Sequence, residues 1–129
     1  SLAVDVQEMR EKMRTHLGRA TKDGKFSLKQ GAGGIVDIEF MVQFAVLAWS
    51  HQYPTLARWS DTIRILESLA QNGLFTEQQS AELIDAYKRY RSEGHRLQLQ
   101  NLAAEVDDSQ LQELRERVGT QWRQLFNSH

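Results

Sequence analysis

Gly31-Ala32-Gly33-Gly34-Ile35-Val36-Asp37-Ile38-Glu39-Phe40-Met41-Val42-Gln43-Phe44-Ala45-Val46-Leu47-Ala48-Trp49 is the stretch on which the fold turns. Between Ile38 and Trp49 every residue is apolar except Glu39 and Gln43. A helix with no broad polar face belongs inside a bundle rather than on its surface. The pattern therefore predicts a central buried helix from about Ile35 to Ser50, entered through a glycine-rich loop and ended before Pro54. Glu39 and Gln43 are four residues apart and share one face. A buried carboxylate requires a partner, so Glu39 meets either an arginine of a neighbouring helix or a ligand. Asp37 points elsewhere, to cap the helix or to hold Lys29 or an arginine.

Just upstream, Lys29 leads the three glycines. Glycine admits positive φ and close approach to the backbone. The amides that open a helix lack intrahelical partners and carry partial positive charge. Lys29, Gly31, Gly33 and Gly34 thus have the makings of a phosphate-binding element, where a bond to a charged group contributes about 1.5–3 kcal/mol. The alternative is a tight loop whose glycines let the helix start against a packed neighbour. The Walker pattern does not apply, because it places the lysine after the glycines.

Working outward, Leu2, Val6, Met9, Met13 and Leu17 predict one inward face of a first helix, ended by Gly18 and the Asp23-Gly24 turn. A long connection over 18–33 carries a short extended piece at Phe26 to Leu28. A third helix spans Ser60 to Asn72, with Ser60 or Asp61 as cap and Gly73 as terminator. Thr76-Glu77-Gln78-Gln79 is a capping-box start for a fourth, which turns Leu83, Ile84, Tyr87, Tyr90 and Leu97 inward. The last runs from Asp108 to Phe126 on a stripe of Leu111, Leu114, Val118, Trp122 and Leu125. The expectation is an all-α bundle of about five helices, forming a single helical domain over 1–129.

Two further clusters attract attention. Arg58, Asp61 and Arg64 surround a helix start, which fits a capped, ion-paired terminus or an interface. Lys88-Arg89-Tyr90-Arg91 and His95-Arg96 line the fourth helix, with Arg91 and His95 on one face beside Gly94, where another backbone has room to approach. A solvated basic face is one account of them, and a contact to phosphate or an acidic partner is the other. The four histidines have no metal-ligand spacing, and no Ser-His-Asp arrangement is evident. With 16 basic and 17 acidic residues interspersed, no global field favours nucleic acid. No apolar run is long enough to cross a membrane, and no signal-peptide pattern is present. The absence of cysteine excludes disulfides and fits a reducing, cytoplasmic setting.

Lys29-Gln30-Gly31-Ala32-Gly33-Gly34-Ile35-Val36-Asp37-Ile38-Glu39-Phe40 resembles the Lys-x-Gly-x-Gly-Gly-Ile-x-Asp/Glu-Ile-Glu-Phe signature of bacterial glutamine synthetase adenylyltransferases. Arg58-Trp59-Ser60-Asp61 through Ile65-Leu66, and His95-Arg96-Leu97-Gln98-Leu99-Gln100, are similar to the same family. A related Lys-x-x-x-Gly-Gly-Leu/Ile pattern occurs in the uridylyltransferase of the PII signal protein, but the Ile-Glu-Phe continuation fits the adenylyltransferases better. The resemblance implies a helical domain that follows a nucleotidyltransferase domain in a two-halved enzyme. Asp37, where the first half more often has Arg-Glu, points to the C-terminal, adenylylating half. The parent would then transfer AMP from ATP, with Mg²⁺, to a tyrosine of glutamine synthetase, under control of glutamine and PII. The family's Gly-Ser…Asp-x-Asp metal motif does not occur here, so the chain is expected to be inert alone, with no catalytic residue, metal ligand or tightly bound cofactor of its own. Its implied role is to complete the nucleotide or target cleft. Lys29, Gly31, Gly33 and Gly34 would face phosphate, Asp37 and Glu39 would organise the loop, and Arg58, Asp61, Arg64, Arg91 and His95 would lie at an interface. A regulatory dock for PII, glutamine or glutamine synthetase, and a bracket that orients catalytic domains, are the alternatives.

Overall fold

The computed structural model describes residues 1–18 and 21–129. Its elements are α1 (Leu2–Leu17), β1 (Lys25–Ser27), α2 (Ile35–Trp49), a 3-10 turn (Pro54–Arg58), α3 (Thr62–Gln71), α4 (Glu77–Leu99), β2 (Glu105–Asp107) and α5 (Gln112–Asn127). The architecture is an all-α bundle bearing one small antiparallel ribbon, in which Phe26 of β1 lies opposite Val106 of β2. The connection expected over 18–33 includes residues 19 and 20, which lie outside the described residues.

Local chemistry sets most helix starts. Thr76 Oγ1 accepts from the Gln79 amide at 3.0 Å, and Gln79 Oε1 accepts from the Thr76 amide at 2.8 Å, which closes the capping box of α4. Asp61, rather than Ser60, caps α3 by accepting from the Arg64 amide at 3.1 Å. Gly73, at φ +72°, ends that helix region. The extended piece read at Phe26 to Leu28 is β1, one residue earlier. Its partner β2 has only three residues, too few for alternation to reveal. Because β2 and the following turn occupy 105–110, α5 begins at Gln112 rather than Asp108. Within that turn the Asp107 carboxylate folds back onto the Ser109 amide and hydroxyl.

α2 packs against α1, α3, α4, α5 and the 3-10 turn. Ile38, Met41, Val42, Phe44 and Ala45 are buried in those contacts. One strip of α2 faces outward, where Gln43 is exposed, Leu47 is 61% exposed and Glu39 is half-covered. The polar pair thus sits on the uncovered side of the helix.

α1 departs from its expected orientation. Ala3 and Arg10 are its buried residues, Val6 and Met13 are half-buried, and Leu2, Met9 and Leu17 are exposed, Met9 by 63%. The helix is rotated away from its apolar stripe toward Arg10. The reason lies across the interface: a buried guanidinium needs a buried acid, and Asp37 supplies it.

Candidate functional site

The glycine loop is gripped on its inner side by charge. Arg10, with no exposed surface, donates from Nε to Asp37 Oδ1 at 2.5 Å, from Nη1 to Gln30 Oε1 at 3.1 Å and from Nη2 to the Gln30 carbonyl at 2.9 Å. Arg14 adds bonds to both Asp37 oxygens at 3.0 and 3.2 Å. Asp37 Oδ2 in turn accepts from the Gly33 amide at 2.7 Å. On the opposite flank the Tyr90 hydroxyl of α4 donates to the Gly33 carbonyl at 2.7 Å. Burial pushes that hydroxyl's pKa far up, since the phenolate would lose its solvation. Of the alternatives for Asp37, the structure shows the hold on arginines; α2 has no side-chain cap, and the bond to the Gly33 amide ties Asp37 to the loop ahead of the helix.

Each glycine has a steric reason. Gly33 adopts φ +82°, and a Cβ there would lie 2.5 Å from the Arg115 carbonyl oxygen of α5. At Gly34 a Cβ would meet the Leu28 carbonyl at 2.6 Å, and at Gly31 it would enter the Phe26 ring at 2.3 Å. The amides are also engaged within the chain. Gly31 donates to the Ser27 carbonyl at 3.0 Å, Gly34 to the Gly31 carbonyl at 2.9 Å, and Ile35 to the Leu28 carbonyl at 2.8 Å. With the Gly33 amide on Asp37, these groups are not turned toward an external anion. The loop here has the geometry of a tight turn that starts a helix against packed neighbours.

Lys29 faces the other way. Its carbonyl accepts from the Val36 amide at 3.1 Å, while its neighbours are fixed by Leu28 N–H on the Ala104 carbonyl at 3.0 Å and Gln30 N–H on Ser27 Oγ at 3.0 Å. Its side chain is exposed on the rim of a cleft of about 650 Å³ between the loop and α4. Lys88, Arg91 and His95 line the same cleft, over a floor that includes Leu28, Ile35 and Ala104. No Asp or Glu lines it, and none of these cations forms an ion pair among the described residues. Lysine and arginine flanking a concave surface with no acid to cancel them concentrate positive potential there. Gly94 also borders the cleft, yet no backbone approaches it. The Leu28 side chain lies 3.8 Å from where its Cβ would be, an ordinary contact.

The structure thus brings Lys29, Arg91 and His95 together and separates the other candidates from them. Glu39 sits beside the cleft without lining it. It accepts from Tyr87 Oη at 3.2 Å and, among the described residues, has no cationic partner. Burial, with Glu39 adding to it, raises the Tyr87 hydroxyl's pKa. The Arg91 guanidinium stands 5.7 Å from the Tyr87 ring centre, linking Glu39's surroundings to the cleft wall. Arg58 and Arg64 lie 5.0 and 5.2 Å from the Trp59 ring, a separate exposed cluster next to the Asp61 cap. As site residues, Arg10 and Gln30 escaped the sequence reading, and Lys88 was named only within the basic run of the fourth helix. Nothing local marks Arg10 as buried, whereas Lys88 lies three and seven residues before Arg91 and His95, a helical spacing that places it on their face.

Comparison with known proteins bears on this arrangement. Residues 7–126 match the family described as GlnD PII-uridylyltransferase. The chain is 46% identical over 129 residues to the bifunctional glutamine synthetase adenylyltransferase/adenylyl-removing enzyme of Hahella chejuensis, covering 97% of the chain and 13% of that protein. To the enzyme of the same name from Acinetobacter baylyi it is 48% identical over 126 residues, covering 95% and 14%. For the Vibrio parahaemolyticus enzyme the identity is 47% over 126 residues, covering 98% and 13%. The chain spans about an eighth of the length of these curated relatives. The family match begins within α1 and ends within α5, and the chain accordingly belongs to the GlnD PII-uridylyltransferase family, alongside the matching portion of bifunctional glutamine synthetase adenylyltransferase/adenylyl-removing enzymes.

Proposed function

We propose that this chain is the helical accessory domain of the adenylylating, C-terminal half of a glutamine synthetase adenylyltransferase. In this reading it packs against a nucleotidyltransferase domain and completes the cleft for ATP-dependent AMP transfer to a tyrosine of glutamine synthetase. The observation that carries the proposal is the meeting of Lys29, from the family motif, with Arg91 and His95 in one cleft that no carboxylate lines. Phosphates are the natural guests of such a wall, since bonds to ionised oxygens are the stronger class. The residues do not fit Mg²⁺: no three Asp, Glu, His or Cys side chains cluster among the described residues. Metal-held chemistry belongs in this reading to the acids of the partner domain, and the chain by itself is inert. Arg58, Arg64 and the exposed Trp59 supply a docking face toward that domain or glutamine synthetase. Regulation by glutamine or PII, and a cytoplasmic location, complete the proposal; among the described residues no helix is long and apolar enough to cross a membrane.

The test is AMP transfer to glutamine synthetase by the intact parent enzyme carrying Lys29→Ala, with helicity followed by circular dichroism. Transfer should fall at least about tenfold, the loss of one charge-assisted contact, with the fold intact. Unchanged transfer and ATP dependence would reduce the domain to a scaffold or a regulatory dock.

A further inference from the structure

We infer that the cleft between the glycine loop and α4 is a site for linked phosphates, the pyrophosphate portion of a nucleoside triphosphate, held by Lys29, Lys88, Arg91 and His95 without an adenosine pocket. The inference deepens the reading above by assigning a part of the substrate to named side chains, but the binding it claims stands on this chain alone. Lys88, Arg91 and His95 occupy positions three and four apart on one face of α4. At 1.5 Å rise per residue, Lys88 and His95 are about 10 Å apart along the helix. A single phosphate is too small to meet both ends of that row and the facing Lys29, whereas two or three linked phosphates are long enough. The charge also matches. One phosphate group carries about −1.5 to −2 near neutral pH, so two linked groups approach the charge that three fixed cations and an imidazole can meet.

The neighbouring acids form no ion pair with these cations. Glu93 on α4 is paired with Arg96, and Glu39, beside the cleft, accepts a hydrogen bond from the neutral Tyr87 hydroxyl and keeps its charge. Asp85, one turn before Lys88, makes no ion pair with it. Elsewhere some surface arginines are paired, as with Arg115 and Asp108 or Arg117 and Glu113, and others, such as Arg58 and Arg64, are not. What distinguishes the cleft is that its unpaired cations converge beside a backbone fixed from three sides under Lys29. Such a preorganised wall binds an anion without first ordering its own loop. An adenine ring, in contrast, finds no exposed Phe, Tyr or Trp ring to stack on, because Tyr90 is fully buried, and the His95 imidazole is taken up by the phosphates in this reading.

Isothermal titration of the 129-residue chain with inorganic pyrophosphate, orthophosphate and AMP tests this directly. Pyrophosphate should bind about tenfold or more tighter than either of the others and weaken as salt rises. Arg91→Ala and Lys88→Ala should each weaken it by about tenfold, in line with a bond to a charged group. Arg117→Ala, on α5 and outside the cleft, should leave it unchanged. Equal binding of pyrophosphate and orthophosphate, tighter binding of AMP, or indifference to Arg91→Ala and Lys88→Ala would each overturn the inference. Pyrophosphate binding that survives alongside unimpaired AMP transfer by the Lys29→Ala parent would leave the site standing and remove the adenylyltransferase reading.

Discussion

The two sides of the glycine loop treat charge in opposite ways. On the inner side Asp37, Arg10 and Arg14 are gathered into a paired cluster that touches the loop at Gln30 and Gly33. On the outer side Lys29, Lys88, Arg91 and His95 face one another across a cleft with no acid among them. The dozen residues from Lys29 to Phe40 contribute to both sides, Lys29 to the outer and Asp37 to the inner. The difference teaches that the motif's acid serves the fold and its lysine is left for something else. Buried charge tolerates no missing partner, whereas exposed charge of one sign persists only at a small cost in repulsion screened by water and salt.

The sharpest way to break that contrast is to remove one buried partner. Asp37→Ala should cost about 3–5 kcal/mol, because Arg10 then remains buried and uncompensated, and urea unfolding followed by circular dichroism reads the loss. A cost near zero would mean that the cluster is solvated and the two sides are alike. Next, Gly33→Ala introduces a side chain at φ +82° and into the Arg115 carbonyl. Left-handed strain alone costs about 1–3 kcal/mol, so the unfolding midpoint should fall clearly even though no charge changes.

Tyr90→Phe is a smaller perturbation, leaving the Gly33 carbonyl without its donor at a cost of about 1–3 kcal/mol. It also carries a pH signature. The Tyr90 pKa is raised in the folded state, so the unfolded chain releases its proton first once pH passes about 10. The contribution is complete below that pH and is lost as pH rises toward the folded value. Stability of the native sequence should therefore decline above pH 10, and Tyr90→Phe should flatten that decline. An identical slope in both proteins would contradict the buried hydroxyl. The smallest effect on stability belongs to Lys29→Ala and Arg91→Ala, which should leave the unfolding midpoint unchanged or slightly raised. A large destabilisation by either would place these cations in the structural cluster and erase the contrast.

Much of the architecture was legible because it is written in local chemistry. The Thr76-x-x-Gln79 box, the Asp61 cap, the Gly73 stop and the stripes of α4 and α5 depend on neighbours within one or two turns. The cleft was partly legible, since Arg91 and His95 share a helical face, and Lys88 was recoverable from the same spacing. α1 was misread for the opposite reason. Its apolar spacing selects Leu2, Met9 and Leu17, yet the bundle buries Arg10 against an acid 27 positions away. β2 was invisible because three residues acquire strand geometry only by pairing with β1.

By itself, then, the sequence determined that the chain is helical, where most helices begin and end, and which motif opens α2, because caps, periodicity and glycine act through short-range sterics and hydrogen bonds. Tertiary structure alone decided which face of α1 turns inward, that the glycine amides are spent inside the loop, and that Lys29 confronts Arg91 and His95. Those outcomes depend on contacts between segments distant in the chain, where a buried charge finds its counter-ion and a backbone finds the one neighbour that leaves no room for a side chain.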